Sequence, residues 1–587
     1  MAKTIITNQL KSLGIKLSQE QRKAVEALSG ASIINAGAGS GKTTSIVAKL
    51  MYAHIQDPSS YSLVISFTKK AVYELQSRLS NVANVTCSTL HSFFWRILRS
   101  NGYKHFKIIE NDAQRILIIN RVITENKLEA IITPQDFLEA IAKHKFKTAE
   151  MQTLKEAYLE ELKNQNLVCF DSIQYFTYEL LISKPSITNR IRNLYDYVLL
   201  DESQDLSIIQ AAILKLIWAD RNSNITFVGD PMQSIYSFRG SQENVMQELQ
   251  NYYDSKVFNL TLNHRSTSAI LNIANKVLPN ANHLVPMKKK IGNDPVFKMF
   301  PTSKDEALYV CSEIKQLLNS GKKLSDIAIL FRSSPAVSEI FEELISQQIP
   351  TVKYGSDCTK WFNSRFKKII ALLNLAYGIT NTHYLRCVLP IFNIPLSTLE
   401  ENCFEDSSNI KKLLLDFPSL SRKQKEKLEI FFNIDSTSLT LQELVKKLWD
   451  LILKDHFETT SDQILNDFLE AISKFDNFTD LRLCLNKIRQ VTKYMARLAN
   501  DPTADYVRLL SIHTSKGMEF DTVFLCGAAD GILPDTTHDT TNLSEENRLA
   551  YVAITRAKEL LYVTYSSTNN DKSIEPSRFF KDQFNKV

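Results

Sequence analysis

Short apolar runs rich in β-branched residues recur along this chain, and each closes on a polar or glycine-rich turn. The runs are Ser32–Ile34, Leu63–Ser66, Tyr197–Leu200, Ile225–Val228, Ile327–Phe331 and Val523–Leu525, with helical patterns between them. Such alternation implies parallel strands joined by crossover helices, so the expected fold class is α/β. Two stretches break the alternation and read as helix, residues 101–190 and 376–502. In the second, Leu441, Leu444, Val445 and Leu448 fall on one helical face. A chain of 587 residues is too long for one core. The expected layout is therefore two α/β cores with parallel sheets, each carrying a mostly helical insertion. The first core takes residues 1–100 and 191–280 around the insertion 101–190. The second takes residues 281–375 and 503–587 around the insertion 376–502.

Composition narrows the function classes. Lys plus Arg number 70 and Asp plus Glu 64, a net charge of +6. That balance permits a nucleic-acid partner without requiring one. The eight cysteines include no C-x-x-C pair. This argues against a zinc or iron–sulfur site and favours a reducing, cytoplasmic compartment. The first residues, MAKTIITNQLKS, lack the apolar segment of a signal peptide. No apolar run approaches membrane-spanning length, so no membrane partner is expected.

Directly after the first run comes Ala36, Gly37, Ala38, Gly39, Ser40, Gly41, Lys42, Thr43, Thr44. Glycines here let the backbone curl so that several N–H groups face one anion, and the following helix adds its N-terminal dipole. Lys42 would reach the β and γ phosphates of a nucleotide, and the Thr43 hydroxyl would ligand Mg²⁺. The strict motif has glycine where Ala36 stands.

The run Tyr197–Leu200 ends in Asp201, Glu202, Ser203, Gln204, Asp205. A carboxylate there lies in the crevice where doubly wound sheets bind ligands. Asp201 can hold Mg²⁺ through its water shell, and Glu202 is placed to orient or deprotonate an attacking water. The run Ile225–Val228 leads into Gly229, Asp230, Pro231, Met232, Gln233, and Gln233 can sense a γ-phosphate through water. The basic stretches Lys143–Lys147 and Lys288–Lys290 read as solvated faces.

Taken in order, these segments and several others resemble the UvrD/Rep/PcrA family of superfamily 1A helicases. Leu17 to Gln21 resembles its Q motif, residues 36–43 motif I, and Ser66 to Ala71 motif Ia. Thr89-Leu90-His91-Ser92 resembles its T-x-H-S motif, and residues 201–205 match D-E-x-Q-D of motif II. GDPMQSIYSFRG from Gly229 resembles motif III, and Asn263 to Thr267 motif IV. SIHTSKGMEF from Ser511 resembles motif V, and EENRLAYVAITRA from Glu545 motif VI. The resemblance covers nearly the whole chain.

It implies two RecA-like P-loop domains that hold ATP and Mg²⁺ between them. It assigns Gln21 to the adenine edge, Arg265 and Arg556 to the γ-phosphate, and Glu519 to the ribose hydroxyl. It places Phe67, Tyr236 and Phe238 against bases, and Thr89, His91 and His513 on the strand. The family also sandwiches adenine between an arginine and a tyrosine. Here Thr44 and His264 stand at those positions, so loose purine selectivity is expected. The insertion before motif V is shorter than in the family's large members, and the chain ends soon after motif VI. The implied function is an ATP-dependent DNA helicase moving 3′→5′ on single strands and at single/double-strand junctions, in repair, recombination or replication. The alternatives are a translocase that strips proteins from DNA without unwinding it, the motor subunit of a nuclease-coupled complex for recombination, plasmid biology or phage defence, and an ATP-dependent switch or clamp that does not travel; a nuclease or repair protein is the expected partner.

Overall fold

The computed structural model describes residues 16–109, 112–220, 223–236, 244–279, 283–287, 291–354, 361, 364–379, 382–392, 394, 407–418, 420–457, 461–501, 503–536, 542–569 and 572–585. Contacts divide the chain into two units. One comprises residues up to Lys298, Ser515–Thr564 and residues from Ile574 on; the other comprises Met299–Thr514 and Tyr565–Ser573.

The first unit is built on a six-stranded parallel sheet. Its strands are β1 (Ser32–Ala36), β2 (Ser62–Ser66), β3 (Val85–Thr89), β4 (Tyr197–Leu200), β5 (Ile225–Gly229) and β6 (Lys256–Leu260), in the order β3-β2-β4-β5-β1-β6. Ile33 pairs with Phe227, and Val64 pairs with Leu199. Helices cover both faces, which is why the central strands read as unbroken apolar runs. Ile33, Leu63, Ile65, Leu200 and Phe227 belong to one buried cluster. Their chain neighbours Ile34, Val64, Leu199 and Val228 belong to another. That is the two-residue period of a strand buried on both sides.

The helices of this unit include α1 (Gln19–Glu26), α2 (Lys42–Gln56), α3 (Leu90–Arg99), α4 (Pro134–Lys143), α5 (Ala149–Asn164), α6 (Phe170–Ser183) and α7 (Ile208–Ile217). The helices α4, α5 and α6 lie in the expected insertion, which shares the first cluster through Phe137, Tyr158 and Phe176.

In the second unit, β7 (Ile327–Phe331), β8 (Thr351–Tyr354) and β9 (Val507–Ser511) run parallel, with β9 paired to both others. A separate helical core gathers around Trp361, Trp449 and Phe468, and Tyr377 stacks on Phe478 at 4.3 Å. The chain then returns to the first unit through β10 (Phe520–Leu525), α8 (Leu543–Ile554) and β11 (Ala557–Ser566), with β10 and β11 parallel. Among the described residues no helix is long and apolar enough to cross a membrane.

All six apolar runs are strands, and the fold is α/β as expected. The periodicity missed β3, β6, β8, β9 and β11. β3 reads VTCST and is only partly buried; β6 is an edge strand with Lys256, Val257 and Asn259 exposed. Neither carries the run of large apolar residues that marks a central strand.

One buried charge fastens α1 to α2. Lys49 is 3% exposed, and its ammonium donates to the carbonyls of Ala24 (2.9 Å) and Ala27 at the end of α1. Burial, aided by Lys256, pushes it down from 10.5 to about 7. Between those values the unfolded chain holds a proton that the folded chain has released, so this site's contribution to stability rises with pH from about 7 to 10.5. Wild type should therefore gain on Lys49→Met by up to about 1.4 kcal/mol per pH step across that window. Thermal unfolding of both proteins at pH 7.5 and 9 checks this. A stability gap that does not change with pH would show that Lys49 keeps its ordinary affinity for protons.

Candidate active site

The carboxyl ends of β1, β4 and β5 carry the phosphate loop, the acidic turn and the Gln233 turn on neighbouring strands. The loop is held open by glycine. Gly39 and Gly41 have φ of +67° and +81°, the left-handed region that costs other residues most. A Cβ on Gly39 would lie 2.6 Å from Asn263 Nδ2 and 2.8 Å from Arg265 Cβ. Gly41 caps α2 without a side-chain hydrogen bond, so first-turn N–H groups remain for an anion. Lys42, Thr43 and Thr44 form that half-buried first turn.

Three braces hold the loop. Gln21 donates to the Ser40 carbonyl at 2.9 Å and accepts from the Ser18 N–H at 2.9 Å, which also caps α1. Asn263 donates to the Ala38 carbonyl at 2.7 Å and accepts from the N–H groups of Arg265 and Ser266, both at 2.8 Å. The His264 N–H donates to the Gly39 carbonyl at 2.9 Å. Burial lowers the His264 imidazole, and its Nε2 has no hydrogen-bond partner. Ala36 is fully buried, and the Gly37 N–H donates to the Leu260 carbonyl.

Opposite the loop, Lys42 Nζ lies 3.7 Å from Glu202 Oε1. Glu202 sits at φ +53°, ψ +38°, a strained position for a side chain with a Cβ. Gln204 Nε2 donates to its carboxylate at 2.5 Å. Burial pushes Glu202 up, but Lys42, Lys516, Gln204 and Arg556 outweigh it and hold the carboxyl well below the usual range. Asp201 goes the other way, raised by burial and by Glu202, although the Ser66 hydroxyl donates to it at 3.3 Å. The oxygen donors here, the Asp201 carboxylate and the Thr43 hydroxyl at the first turn of α2, are of the hard type that would hold Mg²⁺.

Both arginines of the sequence reading lie in this same unit. Arg556 is 1% exposed. Its guanidinium donates to the carbonyls of Val552 (3.0 Å) and Met518 (3.1 Å) and to Gln233 Oε1 (3.0 Å). Gln233 in turn donates to Asp230 at 2.7 Å. Burial, then the like charge of Arg265, pushes Arg556 down to about 9. Arg265 donates to Glu519 at 2.8 Å and to the Thr555 carbonyl at 2.9 Å. Lys558 makes a second ion pair with Glu519 at 3.2 Å. Lys42, Glu202, Gln233, Arg265 and Arg556 thus form one polar network around the loop.

Sequence reasoning gave no role to Asn263 or to Lys516. The ammonium of Lys516, 7% exposed, donates to Asp205 at 2.6 Å and to the Gln233 carbonyl at 2.7 Å. It also lies 4.9 Å from the centre of the Tyr236 ring. Burial raises Asp205 to about 6 against the pull of Lys516. Both residues stand inside quoted motifs, but their partners are distant in sequence and only the fold reveals them.

The expected strand residues are more dispersed. Phe67 and Thr89 lie at the carboxyl ends of β2 and β3, on the half of the sheet away from the phosphate loop. Phe67 is half-buried against the core. Thr89 caps α3, accepting from the Ser92 N–H at 3.2 Å. His91 lies 3.3 Å from Gln174 Nε2 and packs edge-on against Phe170, a ring 53% exposed that the sequence reading passed over. Tyr236 is half-buried. His513 lies in the second unit. Phe238 and the stretch Lys288–Lys290 lie outside the described residues.

Comparison with known proteins agrees with this geometry. Residues 17–254 match the UvrD/REP helicase N-terminal domain, and residues 258–568 match the UvrD-like helicase C-terminal domain. The ATP-dependent DNA helicase PcrA of Staphylococcus epidermidis strain RP62A is 28% identical over 632 residues, covering 96% of this chain and 86% of that protein. PcrA of Staphylococcus aureus strain Mu50 gives the same identity and coverage. YjcD of Bacillus subtilis strain 168 is 28% identical over 617 residues, covering 96% of this chain and 81% of YjcD. With both domain matches lying end to end across almost all of its length, the chain belongs to the UvrD-like helicase family.

Proposed function

We propose that this ATP-dependent DNA helicase moves 3′→5′ along single-stranded DNA and opens duplex at single/double-strand junctions. One observation carries the reading. A single parallel sheet bears the phosphate loop, Glu202 and Gln233 on one half of its carboxyl edge, and Phe67 and Thr89 on the other. A change at the nucleotide can therefore reach the strand contacts through one rigid element.

In this reading the loop residues 36–44 cradle the phosphates, and Lys42 neutralises their charge. Thr43 and Asp201 would hold Mg²⁺, which would supply charge stabilisation on the transferring phosphoryl group. Glu202 takes the proton of the attacking water, and its depressed affinity for protons keeps it ionised. Gln233 positions that water. Arg265 and Arg556 stabilise the developing charge, since two guanidinium groups repelling each other in a buried site favour an incoming anion. Glu519 takes the ribose hydroxyl, and Gln21 and His264 flank the base. Phe67, Tyr236 and Phe238 stack on bases, while Thr89, His91 and His513 touch the strand. The helical insertions are residues 101–190 and 376–502.

Glu202→Gln keeps the shape and hydrogen bonding of the turn but removes its charge. ATP binding should persist while turnover falls on the order of a hundredfold or more. Steady-state ATPase rates and nucleotide titration check this, and normal turnover would remove Glu202 from the role of base.

The Gln21 amide already serves Ser18 and Ser40, and Thr44 and His264 stand where the family has an arginine and a tyrosine. GTP should therefore support turnover within about tenfold of ATP, a difference under about 1.4 kcal/mol. Parallel kcat/KM measurements decide the point, and a preference for ATP beyond a hundredfold would mean that Gln21 and His264 select the base unaided.

Strand displacement on 3′-tailed, 5′-tailed and blunt duplexes tests the proposed function itself. ATP-dependent release from the 3′-tailed substrate alone is the expected result. Preference for the 5′ tail would reverse the assigned direction.

A further inference from the structure

The helical insertion of the first unit contains a cavity that neither the ATP site nor the strand contacts use. It measures about 870 Å³ and opens between α5, α6 and the start of α7. Phe146, Tyr175 and Tyr178 supply its aromatic walls. His144 Nδ1 lies 2.7 Å from the Tyr175 hydroxyl and fixes the tilt of that ring. Phe146 and Tyr175 meet edge-on, with ring centres 6.4 Å apart and planes at 61°. Lys155 Nζ reaches over both rings, 5.2 Å from the first and 5.7 Å from the second. Glu156, Glu160 and Asn164 add polar groups to the lining, as does the ion pair of Lys163 with Glu179 at 2.6 Å.

We propose that this cavity captures one unpaired base of a nucleic-acid strand, at a second site beside the strand contacts of Thr89 and His91. The inference rests on the reading that the chain binds single strands. The lining suits a base better than the other ligands that could enter. Aromatic faces stack on any base. Outside the Lys163–Glu179 pair, Lys155 offers a donor and Glu156 and Glu160 offer acceptors, as a base edge demands. A free phosphate would meet Glu156 and Glu160, and a purely apolar side chain would leave Lys155 and both carboxylates unused.

Two further observations connect the cavity to a strand. Lys145 and Lys147 flank Phe146 in sequence and are exposed, where backbone phosphates could pass. Lys143 is already paired with Glu139, so it is these two lysines that give the basic run Lys143–Lys147 a function. The helix α6 also joins the two places. Gln174 meets His91, and the next residue, Tyr175, lines the cavity. A strand lying on His91 thus has the cavity one helix face away.

The test uses the full chain and a 2-aminopurine-labelled single-stranded oligodeoxynucleotide of about 20 nucleotides, with affinity read by fluorescence. Tyr175→Ala and Lys155→Met should each weaken binding by about tenfold, the scale of one lost stacking contact. Tyr175→Phe keeps the ring and should bind as wild type does, which separates loss of stacking from loss of folding. ATPase at saturating strand should stay near the wild-type rate in Tyr175→Ala and Lys155→Met, because neither residue touches the ATP site. Wild-type affinity in both of these variants overturns the proposal and leaves a protein side chain as the better occupant. Failure of the wild-type protein to bind the oligonucleotide would instead overturn the strand-binding reading on which the proposal rests.

Discussion

Four carboxylates crowd the carboxyl edge of the first sheet, and cations from distant parts of the chain gather around them. Asp201, Glu202, Asp205 and Asp230 lie among Lys42, Lys516 and Arg556 in a region largely closed to water. Burying an isolated charge is costly, so each group depends on its neighbours. The signs of the shifts record that dependence. Asp201, Asp205 and Asp230 are pushed up, Arg556 is pushed down, and Glu202 alone among the carboxylates is held low by converging cations. Such a network is balanced for one further charged ligand and badly served by partial dismantling.

The network also explains why the loop around it is so rigidly braced. Gln21, Asn263 and the His264 backbone each hold a different carbonyl of residues 38–40. These bonds take up the loop's carbonyl groups. With its carbonyls directed away, the loop presents N–H groups to a phosphate. The left-handed Gly39 and Gly41 are the backbone cost of that orientation.

Much of this was legible in the sequence, for identifiable reasons. Central strands buried on both faces must be apolar throughout, so Ile225–Val228 and its counterparts stood out. Edge and partly buried strands obey no such rule, and β3 and β6 escaped notice. The phosphate loop and acidic turn were readable because their chemistry lies in consecutive residues. Arg556 and Gln233 were named from separate motifs, and the fold brings them to 3.0 Å. Asn263 and Lys516 could not be read in this way. An asparagine amide spanning two loops, and a lysine shared by Asp205, a carbonyl and a tyrosine ring, derive their meaning from partners that no local pattern specifies. The aromatic cavity of the insertion is similar, since Phe146, Lys155 and Tyr175 meet only when the connection after α4 packs against α5 and α6.

The route of the chain through its two units has a consequence for biogenesis. The phosphate loop and Gln233 are made early, but Arg556 follows Gln233 by 323 residues. Residues Met299–Thr514 of the second unit are synthesised in that interval, before the chain returns to the first. At translation rates of about 5–20 residues per second, the gap lasts roughly 16–65 s. During that time the nascent first unit has its phosphate cradle but lacks Lys516 and Arg556, the cations that its buried carboxylates and Gln233 later engage. The complete charge network therefore cannot assemble until Arg556 has been made.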